Sequence, residues 1–201
     1  MTAAVTRGPV DRPGTVGWGI RPARTEDVPA VATAVATLLA ELGGTPPAPP
    51  AIEAEARAHI QDPSLGIVLV ATNQVSSQKS SDSEQNCELT AGSPLVSSQL
   101  ASDSDEKCEL VGVLAASWAR AIQVAGRLLT IEVLWTRRER RDRGVGAALV
   151  EALAVAAAAE GANRVEVGLP REGFPALRAT ERFYLANDFE RLGPRMRRTV
   201  P

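Results

Sequence analysis

The sequence predicts a mixed α/β fold: one sheet of six to seven strands flanked by about four helices. Two observations carry that prediction. Short apolar runs of strand character alternate with segments whose apolar residues recur at helical spacing, in the order β-α-α-β-β-β-α-β-α-β. A glycine turn, Gly144-Val145-Gly146, leads from a predicted strand into a predicted helix, a junction suited to binding phosphate.

Trp18 to Arg21 reads as a short strand that ends at Pro22. Thr25-Glu26-Asp27 predicts a helix start, with Thr25 as the cap and acids in the first turn. Val28, Val31, Val35, Leu38, Leu39 and Leu42 then recur at helical spacing. Gly43-Gly44 ends this helix, and Pro46 to Pro50 forbid its continuation. A second helix covers Ala51 to Ile60, Asp62-Pro63 stops it, and Leu65 to Ala71 reads as a buried strand. Glu109 to Trp118 and Leu128 to Thr136 predict two strands of an antiparallel hairpin, with Gly126 in the turn. A long Ala-rich helix runs from about Gly144 to Glu160, and Gly161 ends it. Arg164 to Leu169 predicts the next strand and Ala176 to Ala186 a short helix. Phe189 to Thr199 reads as a final strand, or two broken at Gly193-Pro194.

Residues 1–15 carry Gly, Pro and Arg with no apolar period, and read as a flexible N-terminal arm before a domain at 16–201. The 201 residues suit one domain, and 44% hydrophobic content suffices for a core. Aromatics are only 3%, so that core is mostly Ala, Leu and Val. A net charge of −2 gives no global attraction to nucleic acid or membrane. Met1 to Gly14 holds no apolar stretch of a secretory signal. The longest apolar run, around Ala152 to Ala159, is far short of the roughly 20 residues of a membrane span. With two cysteines, the expectation is a soluble cytoplasmic protein. The lone His59 reads as a surface or structural residue, and with two cysteines it offers no metal-ligand set.

The segment 73–108 differs in kind. It holds 10 of the 12 serines, both lysines and both cysteines. It also repeats with a 21-residue period: Val75-Ser76-Ser77-Gln78 returns as Val96-Ser97-Ser98-Gln99, and Cys87-Glu88-Leu89 as Cys108-Glu109-Leu110. Two copies are too few for a solenoid, and the composition buries too little apolar surface to offset the entropy of ordering. It reads as a duplicated, disordered insertion in a strand-to-strand connection. An ordered flap is the alternative.

Arg141-Asp142-Arg143-Gly144-Val145-Gly146 has the makings of a phosphate cradle. A helix N-terminus leaves unpaired N–H groups and a partial positive charge, and a diphosphate satisfies both. The main-chain amides from 142 to 147, Ala147 included, are the expected donors. Without Gly-Lys-Ser or Gly-Lys-Thr the turn is no P-loop, and Leu149 stands where a dinucleotide fingerprint wants its third glycine. A turn that merely caps a structural helix remains the alternative. Five arginines fall within Arg137 to Arg143, but no aromatics interleave them, so nucleic acid is not the expected partner.

In these residues the chain resembles the GNAT superfamily of N-acetyltransferases. The family pattern Arg/Gln-x-x-Gly-x-Gly/Ala stands here as Arg141-x-x-Gly144-x-Gly146. Leu134-Trp135-Thr136 sits where the family has a splayed strand whose backbone pairs with the pantetheine arm. A second mark, an aromatic-Tyr pair followed by a turn and a Phe, stands as Phe183-Tyr184 and Phe189. The resemblance covers roughly 18–72 and 109–200. It implies a sheet splayed between the fourth and fifth strands, acetyl-CoA as co-substrate, and a primary amine of a small molecule or protein as acceptor. Position 177 is Leu where the family often carries a cofactor-contacting Asn.

Direct transfer to an amine needs a base, an oxyanion donor and a hydrogen bond or proton for the leaving thiolate. Tyr184, the only tyrosine, is the candidate for the thiolate; the alternative is a packed ring beside Phe183. It could protonate the thiolate if its own pKa fell. By resemblance the Leu134 N–H serves the oxyanion. Strict alternation puts Leu129, Ile131, Val133 and Trp135 on the core face, and Leu128, Thr130, Glu132, Leu134 and Thr136 on the other. Glu132 is thus the candidate base, a solvated strand carboxylate being the alternative. The competing function is an acyl-CoA sensor without turnover. The acceptor and the oligomeric state, a homodimer included, stay open.

Overall fold

The computed structural model describes residues 17–73 and 109–193. The expected N-terminal arm, the repeat insertion with Cys87 and Cys108, and positions 194–199 of the expected last strand lie outside the described residues.

Among the described residues five strands form one sheet in the order β1-β2-β3-β4-β5. They are β1 (Trp18–Pro22), β2 (Gly66–Asn73), β3 (Leu110–Ala121), β4 (Gly126–Thr136) and β5 (Ala162–Val167). The first four pair antiparallel, and β4 pairs parallel with β5. Four helices accompany the sheet: α1 (Val28–Glu41), α2 (Pro49–Gln61), α3 (Val145–Ala159) and α4 (Leu177–Leu185). The sequence predicts six to seven strands. Residues 189–193, the described part of the expected last one, carry no strand.

The helix boundaries follow local chemistry with one correction. Thr25 is not the cap; it opens a short 3₁₀ turn, Thr25–Asp27, that runs into α1. Asp27 ties this turn to the residues before it. Its carboxylate accepts the Arg24 N–H at 2.7 Å and the Arg21 guanidinium at 2.6 and 2.9 Å. Burial alone would raise the Asp27 pKa, but these donors outweigh it and hold the carboxyl below its ordinary value. Pro49 and Pro50, expected only to block α1, start α2, since proline at the first helical position lacks an N–H that would be unpaired anyway. Gly43 closes α1 at φ +74°, a conformation open to glycine.

Two cores flank the sheet. On one face Val145, Leu149, Leu153 and Ala157 form the i, i+4 stripe of α3 and pack with Val111, Leu114, Leu129, Ile131 and Tyr184. On the other, Val31 and Ala34 of α1 pack with Val70, Leu110 and Val113, with Ala56 of α2 alongside. Gly112 lets α3 approach β3: a Cβ there would meet Val145 Cγ1 at 2.9 Å and Leu149 Cδ1 at 3.0 Å.

Strict alternation along β4 fails at one residue. Ala115 pairs with Val133 and Ala116 with Ile131, so Glu132 is the extra residue of a β-bulge. The bulge reverses the faces beyond it. Leu129 and Ile131 belong to the α3 core, but Val133 and Trp135 pack with the α1 core, and Leu134 joins the α3 side. The expected shared face of Leu129, Ile131, Val133 and Trp135 is therefore two faces.

Candidate active site

The pairing of β4 with β5 ends at Ile131 and Val167. Above that point Glu132 to Thr136 has no strand on its β5 side among the described residues. Position 166 itself is still paired, with Thr130, so the gap opens just beyond it. The Arg137 N–H donates to Val111 O at 2.9 Å. Hydrogen bonding alternates along an antiparallel pair, so the main-chain groups of Leu134 and Thr136 point away from β3, toward the gap. The bulge at Glu132 sits where this free edge begins.

The start of α3 faces the same gap. Gly144 is its N-cap at φ +82°, and no side chain caps the helix. A Cβ built on Gly144 would meet nothing within 4 Å. Open space lies in front of a helix whose first N–H groups lack intrahelical partners. Asp142, at φ +59°, sharpens the turn; aspartate is among the few side chains that tolerate this region. Gly146 also has a packing role. Its missing Cβ would lie 3.4 Å from the Phe183 ring and 3.7 Å from Thr136 Oγ1, so it lets α3 sit close to α4 and β4.

The third wall is α4. Its end is shaped by Asp188 at φ +62°, which turns the chain so that the Asn187 and Phe189 N–H groups donate to Tyr184 O at 3.0 and 3.1 Å. Phe189 then returns edge-on to the Tyr184 ring at 5.2 Å, and Phe183 meets it at 5.1 Å. This is why the aromatic residues recur at that spacing. Tyr184 is only 7% exposed, and burial pushes its pKa up to about 12. Burial therefore works against the fall in pKa that would make it a ready proton donor.

These walls enclose a cleft of about 530 Å³, within the range of small-ligand sites. Glu132, Leu134, Trp135, Thr136, Arg141, Asp142, Gly144, Gly146, Ala147 and Tyr184 all line it. Two sequence-predicted residues do not contribute side chains. Val145 is buried in the core at 1% exposure, and Arg143 is exposed outside the lining. Arg137 ties strands together instead, pairing with Glu109 at 2.6 Å.

Several lining residues stand outside the predicted catalytic and cofactor-binding set. Leu38, Glu41 and Leu42 bring the end of α1 over the cleft. Arg141 donates through Nη2 to Glu41 Oε1 and Oε2 at 2.8 and 2.6 Å, and through Nε to Thr136 O at 3.1 Å. No local pattern announces a contact between residues 100 positions apart. Thr180 and Asn187 also line the cleft. Thr180 stands four residues before Tyr184, hence on its helical face, a spacing readable in the sequence; Asn187 lies in the turn just past α4. Leu177 does not line the cleft. His59 lies elsewhere, its ring nitrogens 3.0 Å from Glu55 O and 3.2 Å from Ser117 Oγ. Among the described residues no group of three or more His, Cys, Asp or Glu side chains could hold a metal ion. Among them also, no helix is long and apolar enough to cross a membrane.

The fold is shared with solved acetyltransferases. A possible acetyltransferase from Clostridium difficile 630 superposes with a TM-score of 0.64 at 15% identity, covering 92% of this chain and 98% of that one. The aminoglycoside N-acetyltransferase AAC(6')-Iy in complex with CoA gives 0.65 at 12% identity, over 94% and 98%. The aminoglycoside 6'-N-acetyltransferase AAC(6')-Ih from Acinetobacter baumannii gives 0.63 at 12%, over 92% and 99%. No curated protein sequence matches the chain. The model of the acetyltransferase (GNAT) family matches residues 67–186, which takes in β2 to α4, the glycine turn and Tyr184, and the chain belongs to that family.

Proposed function

We propose that the protein transfers the acetyl group of acetyl-CoA directly to a primary amine. One observation carries the reading: a single cleft gathers an uncapped helix start with open space before Gly144, a free strand edge at Leu134 and Thr136, and the side chains of Tyr184 and Glu132. Amides at the start of α3 suit a diphosphate. The free edge of β4 suits the amides of a pantetheine arm, which would pair with it as an added strand.

In this reading the amine nitrogen attacks the thioester carbonyl. The C–N bond forms, the C–S bond breaks, and the sulfur leaves with the electron pair. Glu132 takes the proton of the amine, directly or through water. The Leu134 N–H donates to the transient oxyanion. Tyr184 donates a hydrogen bond to the leaving sulfur. A phenol near 12 does not surrender its proton to a thiolate whose acid form titrates near 8.5; it stays protonated and stabilises the anion until solvent protonates it. The CoA-bound aminoglycoside acetyltransferase of the same fold supports the co-substrate and the amine class.

Calorimetric titration with acetyl-CoA, followed by a thiol-release assay over an amine panel, tests the proposal. Binding with amine-dependent release is the expected result. Binding without release across the panel would replace it with a sensor that holds acyl-CoA, and absence of binding would end it.

A further inference from the structure

Arg141 opens the turn that the proposed reading assigns to the diphosphate, yet its guanidinium is already engaged. Nη2 holds both oxygens of Glu41, and Nε holds Thr136 O. Both engagements obstruct the proposed ligands. Thr136 O belongs to the free edge of β4 where a pantetheine amide would pair. Glu41 lines the same cleft as Glu132, and its carboxylate is covered by a cation.

Glu41 is also misplaced for helix stability. It is the last residue of α1, and no basic side chain lies in that turn. A helix C-terminus carries partial negative charge and disfavours a carboxylate. The charge that compensates it arrives from the other side of the cleft, on Arg141. The two side chains remain 42% and 39% exposed, so water and ligands reach the pair and it can exchange partners.

We infer that Glu41 is a specificity-determining residue that binds a cationic group of the acceptor, and that Arg141 masks it until a diphosphate draws the guanidinium away. The inference rests on the proposed acetyl-CoA reading. A competing anion exchanges with the carboxylate for the guanidinium. A diphosphate offers more charge and more acceptor oxygens than one carboxylate, and arginine matches phosphate in paired hydrogen bonds. Its departure frees Thr136 O for the arm and leaves Glu41 uncompensated in the cleft that Glu132 also lines. A diamine or polyamine then presents one amine to the thioester and a second, still charged, to Glu41.

The test is CoA titrated by calorimetry into the wild-type protein and Glu41→Gln, with diamine and monoamine acceptors of equal length compared in turnover. Removing the competing carboxylate should tighten CoA binding several-fold and abolish the preference of kcat/KM for diamines. If Glu41 instead only positions Arg141 for the phosphates, Glu41→Gln weakens CoA, and the inference falls. Unchanged CoA affinity, or a diamine preference that survives the substitution, overturns it equally. Failure of the wild-type protein to bind CoA sinks the acetyltransferase reading itself, which separates that failure from failure of the Glu41 exchange.

Discussion

Tyr184 shows how one environment sets a side chain's chemistry. Phe183 and Phe189 pack edge-on against it, and the resulting desolvation raises its pKa from 10.0 to about 12. The folded protein therefore holds this proton more tightly than the unfolded chain. The associated stability is complete below about 10 and disappears as pH climbs from there to about 12. Tyr184→Phe should remove up to roughly 2–3 kcal/mol of that alkaline loss, read from urea midpoints between these pH values. Under the proposed reaction the same variant lowers kcat by about 10²-fold while CoA affinity holds within a few-fold; full turnover would leave Tyr184 a packing residue only. Glu132→Gln should lower kcat by a similar factor and shift the limb along which the rate climbs with pH. An unmoved limb removes Glu132 from proton transfer.

Among the elements, α3 carries the most function. Its Ala-rich sequence favours helix, and its stripe of Val145, Leu149 and Leu153 was legible from spacing alone. How close it lies to the sheet was not legible, because that depends on a glycine thirty-odd positions earlier on another strand. Gly112→Ala would drive a methyl group into Val145 and Leu149. The expected outcome is a loss of about 1–3 kcal/mol from overpacking with weakened CoA binding, since the displaced segment is the start of α3. Unchanged stability and affinity would show that the helix start does not need this contact. Strand β4 teaches the opposite lesson. Its alternation was readable, yet the bulge at Glu132 comes from mismatch with β3, which adds a residue on one strand only.

The molecule as a whole tolerates a long excursion between β2 and β3 because both ends are clasped. Asn73 donates its N–H to Glu109 O and its Nδ2 to Glu109 Oε2, each at 2.9 Å, and Arg137 holds the other oxygen of that carboxylate at 2.6 Å. Core clusters form on both faces among the described residues. Replacing 74–108 with a two-residue Asn-Gly turn should keep CoA affinity. It should also hold or raise stability by up to about 2 kcal/mol, the loop-closure entropy of the shortened connection. Loss of folding, or a tenfold loss of CoA affinity, would make the repeat segment part of the working domain.

The sequence by itself determined what is decided within a few residues: the order of strands and helices from β1 to α4, the glycine turn before α3, and the aromatic mark around Tyr184. Periodicity and the left-handed turn at Gly144 express local sterics, which travel with the chain. Only the tertiary structure decided that β4 reverses its faces at Glu132 and that Glu41 reaches Arg141 across 100 residues. Each of these depends on which partner a group meets once helices and strands have packed, and no spacing along the chain encodes that distance.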